Sequence, residues 1–129
     1  MAEGKNNRAL SRLKQAQESM SEAKTLLIQD AEVNFVMNSL YYAFLYPVLG
    51  LLEVRGITSS TQSIAITLFE HEYVQTGSFD GRFLEALRNA FDLRPSCACE
   101  GHRIATVEDV ERLLPMAEAF LDSVKRFIE

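Results

Sequence analysis

The stretch VNFVMNSLYYAFLYPVLGLL, residues 33–52, runs without a single charged side chain. About 20 mainly apolar residues would be long enough to cross a bilayer. The run is interrupted, however, by Asn34, Asn38, Ser39, Tyr41, Tyr42, Tyr46, Pro47 and Gly50, and it is flanked by acidic Glu32 and Glu53 where basic anchors are typical of a span. It therefore reads as a helix buried on most of its sides in a bundle or a dimer, with no membrane contact expected. The spacing predicts that helix from about Ala31 to Arg55, capped by Asp30 and ended by Gly56. Pro47 lacks an amide donor, which predicts a kink near Ala43 to Tyr46. Phe44, Leu45, Val48, Leu51 and Leu52 form its core or dimer stripe.

Outward from this segment the pattern stays helical. Leu10, Leu13, Ala16, Met20, Ala23 and Leu27 recur at steps of three or four, predicting an amphipathic outer helix from about Asn7 to Gln29. Ser59, Ser60 and Thr61 offer capping oxygens for a shorter helix carrying Ile64, Ile66, Leu68, Phe69 and Tyr73, although the β-branched content of residues 64–67 would also tolerate a strand. Gly77 and Ser78 break the chain, and Phe83, Leu84, Leu87, Ala90 and Phe91 mark a helix from about Asp80 to Leu93. Pro95 and Gly101 make residues 94–105 a loop. Thr106 and Asp109 then resemble a capping box ahead of a last stripe through Val107, Val110, Leu114, Ala117, Leu121, Val124 and Ile128. The expectation is an all-α fold: an antiparallel up-and-down four-helix bundle with an additional short helix, residues 1–129 forming one domain.

Composition narrows the function. The 129 residues are 47% hydrophobic and 24% charged, which is globular composition in a chain long enough to bury one core unaided. The net charge of -5 argues against coating nucleic acid through a broad basic face, so any RNA contact must be local. Met1 to Gln17 is polar and charged, no signal peptide is expected, and the two closely spaced cysteines fit a reducing cytoplasm.

The segment Asn38-Ser-Leu-Tyr-Tyr-Ala-Phe-Leu-Tyr46 carries a "YYA" signature that resembles the HEPN family. The helix exit Leu52-Glu-Val-Arg-Gly-Ile57 is similar to the family's "ELKGI"-like exit. Leu68-Phe69 followed by Tyr73-Val-Gln-Thr-Gly-Ser-Phe-Asp80 is similar to its "F...FVKTGKFD" stretch, and Leu87 to Arg94 to the end of its fourth helix. The likeness covers about residues 8 to 128 and is closest to small stand-alone members. It implies a bundle dimerised side by side, often paired with a minimal nucleotidyltransferase as a toxin-antitoxin-like system, and needing no cofactor. Active members are metal-independent RNases using an arginine and a histidine. Here the candidates are Arg94 and His102, with seven residues between them against the family's four to six. Cys97-Ala-Cys99 stands at the "ADY"-like position, and Tyr46 where many relatives have histidine. The resemblance thus implies a binding component with a degenerate RNase motif, the alternative being an active endoribonuclease toxin.

The chemistry suits those residue types. A histidine can take the 2'-hydroxyl proton or protonate the leaving oxygen while an arginine holds the scissile phosphate. Arg88 and Arg103 would add positive charge nearby. Asn38 and Tyr42, one turn apart, would line a groove towards Arg94 and bind RNA or nucleotide; with Tyr41 they serve equally well as interhelical hydrogen-bonding groups that fix register. Arg94 reads alternatively as an ion-pair or capping residue and His102 as a solvated loop residue. Cys97, Cys99 and His102, even with His71 or a water, fall short of a usual four-ligand zinc site, and no metal is expected.

Overall fold

The computed structural model describes the backbone of residues 2–95 and 104–129, with side chains from residue 7 onward. Among the described residues five α-helices follow one another: α1 (Ala2–Ile28), α2 (Val33–Val54), α3 (Gln62–Phe69), α4 (Gly81–Leu93) and α5 (Val107–Ile128). A π-helical turn, Glu70–Val74, continues α3, and no strand occurs among the described residues. Residues 64–67 therefore take the helical alternative, started by Thr61, whose hydroxyl accepts from the Ile64 amide at 3.1 Å.

The helix ends follow local chemistry. After α1, Asp30 sits at φ 58, the Ala31 amide donates to Leu26 O at 3.0 Å and the Asp30 amide to Leu27 O at 3.2 Å. This is a Schellman closure with Asp in the left-handed position that glycine usually takes. Asp30 thus closes α1 instead of capping α2, a correction to the sequence expectation; α2 starts at Glu32 without a side-chain cap. The same closure recurs after α2, with Gly56 at φ 71 and the Ile57 amide donating to Leu52 O at 2.9 Å. Asp80 caps α4, its Oδ1 accepting from the Arg82 amide at 2.9 Å. The capping box of α5 forms as expected, Thr106 and Asp109 each accepting the other's amide.

Helix α2 is the axis of the bundle. Its most apolar window is 72% buried, so the surface that would suit lipid is used up against protein. It remains helical through Pro47. Helix α1 lies along it in the opposite direction, since Gly50 near the end of α2 meets Ala9 and Arg12 near the start of α1. The buried residues of α1 are Ala9, Leu13, Ala16, Met20 and Ala23; Leu10 and Leu27, expected on that stripe, remain 46% and 38% exposed. The stripe is set one residue round from the expectation at its start, because small Ala9 is what fits opposite Gly50.

A Cβ on Gly50 would stand 3.3 Å from both Ala9 O and Arg12 Cβ. Backbone on one side leaves little freedom to yield, so the glycine sets how closely α1 and α2 approach. Replacing Gly50 with Val is expected to cost about 1–2 kcal/mol through overpacking. The check is the urea midpoint with unchanged m-value.

The remaining elements close over α2 through aromatic contacts. Phe120 of α5 is fully buried, and its ring lies 5.1 Å from Phe83, 5.4 Å from Phe69, 6.0 Å from Phe79 and 6.3 Å from Phe44. Four parts of the chain meet on that one ring. Tyr73 of the π-helical turn is also fully buried, and its hydroxyl donates to Leu51 O, tying the turn to α2.

Candidate RNA-facing site

Helix α4 stops at Leu93 because Pro95 disfavours helical geometry in the residue before it, and Arg94 accordingly takes an extended conformation, φ -63 and ψ 144. From there the Arg94 side chain folds back. One Nη donates to Phe91 O, a carbonyl left open by the helix end, and the guanidinium carbon lies 3.7 Å from the Phe91 ring centroid. It also stands 5.6 Å from the Tyr41 ring centroid. Among the described residues no carboxylate pairs with it. Arg94 is thus a capping residue, while the rest of its five-donor fork is not used by that single bond.

Beneath it, Tyr41 is fully buried and donates its hydroxyl to Gln62 Oε1 at 2.7 Å, joining α2 to α3. Burial pushes its pKa up to about 12, against the opposing pull of the Arg94 charge. Tyr41 therefore stays neutral at physiological pH and positions its neighbours instead of exchanging protons.

Tyr42 is half-buried, with its ring 5.2 Å from Tyr41 and 5.5 Å from Tyr46. Asn38 is exposed one turn earlier on the same face of α2. Tyr41 thus connects the two sequence candidates Arg94 and Tyr42 by packing against both. Arg88, on α4, pairs with Glu70 Oε1 at 2.9 Å; its charge is partly offset, and the exposed pair contributes little to stability. His102, Arg103, Cys97 and Cys99 lie outside the described residues, so the Arg94–His102 pair and any thiol site are not placed. His71 is exposed, as expected, with Nδ1 3.2 Å from Gln75 Oε1.

Sequence reading missed two contributors. Phe91 was legible only as an apolar helix position, and Gln62 carried no signal at all, since its role depends on α3 being folded against Tyr41. A cleft of about 490 Å³ beside Tyr42 and Tyr46, walled by Arg12, Glu53 and residues 57–62, was likewise invisible in the one-dimensional pattern.

The HEPN domain family profile matches residues 9–127. The chain belongs to the HEPN domain family. Among its relatives, a "UPF0332 protein" of Thermotoga maritima is 28% identical over 116 residues, covering 90% of this chain and 87% of the relative. The protein "Putative toxin MJ0142" of Methanocaldococcus jannaschii is 25% identical over 121 residues, covering 94% of this chain and 82% of the relative. No solved structure gives a significant match. The HEPN profile begins at Ala9, the residue set against Gly50, and ends in the last turn of α5, so it spans every helix of the bundle.

Proposed function

We propose that this HEPN domain is a toxin-like, RNA- or nucleotide-binding component that works in the cytoplasm as a homodimer, paired with a nucleotidyltransferase. The observation that carries the RNA reading is the Arg94 guanidinium, held over the Phe91 ring beside Tyr41 with no carboxylate partner among the described residues. A guanidinium kept on an aromatic support, with no acid against it among the described residues, is well suited to take a phosphate in a forked hydrogen bond. Tyr42 and Asn38 extend that face with a stacking surface and an amide, the groups that single-stranded RNA reading uses. The family relationship and the relative named as a toxin support the toxin-like role.

The test is binding of a labelled single-stranded RNA to the full chain, with gel analysis of the same RNA after incubation. Arg94→Ala is expected to weaken binding roughly tenfold, the scale of a lost charge-assisted hydrogen bond. Unchanged affinity would remove Arg94 from the interface. Cleavage that disappears in both Arg94→Ala and His102→Ala would replace the binding role with that of an endoribonuclease. Light scattering at micromolar concentration tests the dimer, and co-purification with a co-expressed minimal nucleotidyltransferase from the same genome tests the partner.

A further inference from the structure

The exposed apolar side chains of this protein are not spread evenly. Eight large hydrophobic residues are exposed among the described residues, and five of them, Leu27, Ile28, Phe35, Ile104 and Val107, belong to the end of α1, the first turn of α2 and the entry to α5. Ile28 at 85% and Ile104 at 80% are the barest of the eight. The packing register brings these segments to one end of the bundle. Helices α1 and α2 meet there through the closure at Asp30. On α5, the Phe120 ring lies 6.3 Å from Phe44, and the Phe127 ring lies 5.6 Å from that of Tyr73, whose hydroxyl donates to Leu51 O. Seven residues along α5 thus match seven along α2, so the two helices run parallel; carried back, the same register sets Val107 level with Ala31.

The same end is acidic. Asp30, Glu32, Glu108 and Glu111 are all exposed there, and none of them pairs with a base among the described residues. The neighbouring cations Lys24 and Arg112 are taken by Glu118 and Asp109. Helix ends do not account for the set. Glu32 and Glu108 suit the N-termini of α2 and α5, but Asp30 closes the C-terminus of α1, where the helix dipole disfavours an acid, and Glu111 lies past the first turn. Bare aliphatic side chains among unpaired carboxylates mark a surface that a partner covers better than water does.

Charge then selects the occupant. A second copy meeting this end through a two-fold contact would set the same four carboxylates against one another, and RNA or an anionic membrane would meet like charge too. A protein segment that carries apolar anchors between lysines or arginines matches both features at once. We propose that this end of the bundle is the docking site for such a basic, apolar-anchored segment of a partner protein. The contact is defined by the segment's chemistry and uses neither Arg94 nor RNA, so it is independent of the RNA reading.

The test is fluorescence anisotropy of a labelled amphipathic peptide of leucine and lysine titrated with the full chain, beside a twin with glutamate in place of lysine. The lysine peptide is expected to bind at least about tenfold tighter than its twin, and to weaken as salt rises. The double variant Ile28→Ser, Ile104→Ser should weaken that binding roughly tenfold, because each exchange removes an apolar anchor. Glu32→Lys with Glu111→Lys should erase the preference over the twin. Leu10→Ser with Ile64→Ser, exposed apolar positions elsewhere, should change nothing. All these side chains are exposed, so the fold tolerates the exchanges. Binding of neither peptide at millimolar concentration, equal binding of both, or an equal loss in the Leu10 and Ile64 variant would overturn the proposal. Self-association of the full chain that the Ile28 and Ile104 variant abolishes would also overturn it, by making the occupant a second copy. A fall in RNA affinity in that variant would do the same, by making this end an RNA surface.

Discussion

Replacing Phe120 with alanine is expected to lower stability by about 3–5 kcal/mol, the range for deleting a fully buried aromatic ring. The reason is topological as much as volumetric. Phe120 touches rings from α2 (Phe44), α3 (Phe69), the turn before α4 (Phe79) and α4 itself (Phe83), so one truncation opens a cavity where all of them converge. No single neighbour can collapse into it without leaving another. Phe35, 61% exposed on α2, serves as the control: its alanine variant is expected within about 0.5 kcal/mol of the parent. Chemical denaturation of the two variants side by side gives the comparison. A Phe120→Ala loss below about 1 kcal/mol, far under the range for a buried ring, would mean that the aromatic cluster is not the closure of the core.

The second large effect is alkaline. Tyr41 ionises near 10 in an unfolded chain but near 12 when folded, because burial disfavours the phenolate. Between those values the unfolded state sheds a proton that the folded state keeps, so stability is intact below pH 10 and falls as pH rises towards 12. A rise of that size corresponds to about 2–3 kcal/mol. Tyr73 is raised as well, again chiefly by burial, and adds to the slope. Tyr41→Phe is expected to cost about 1 kcal/mol at neutral pH, through the bond to Gln62, yet to lose less stability between pH 10 and 12 than the parent. Denaturation midpoints at pH 8, 10 and 11.5 test this. A variant that declines as steeply as the parent would show that Tyr41 does not drive the transition.

The helical framework was legible because it rests on local rules. Apolar spacing located five helices, and Thr61, Asp80, Thr106 and Gly56 marked ends where the structure has them. Asp30 was not legible in this way, because an aspartate near a helix boundary suits either a cap or a left-handed closure, and only the Ala31 to Leu26 bond tells which. Of the candidate site, Arg94 could be named from the family resemblance, and Tyr42 and Asn38 from their place one turn apart on an otherwise apolar helix. Their relation could not, since Arg94 meets Tyr41 only once α4 and α2 are packed.

By itself, then, the sequence determined that the uncharged run 33–52 is a helix with too many polar interruptions for lipid, surrounded by amphipathic partners. It did so because helix periodicity and capping depend on residues within a turn or two of one another. Only the tertiary structure decided that Arg94 lies on Phe91, that Gln62 holds Tyr41, and that Arg12 and Glu53 pair beside a cleft. The tyrosine and the ion pair join residues tens of positions apart, and the chemistry of all three contacts arises from burial and distance, which no linear pattern encodes.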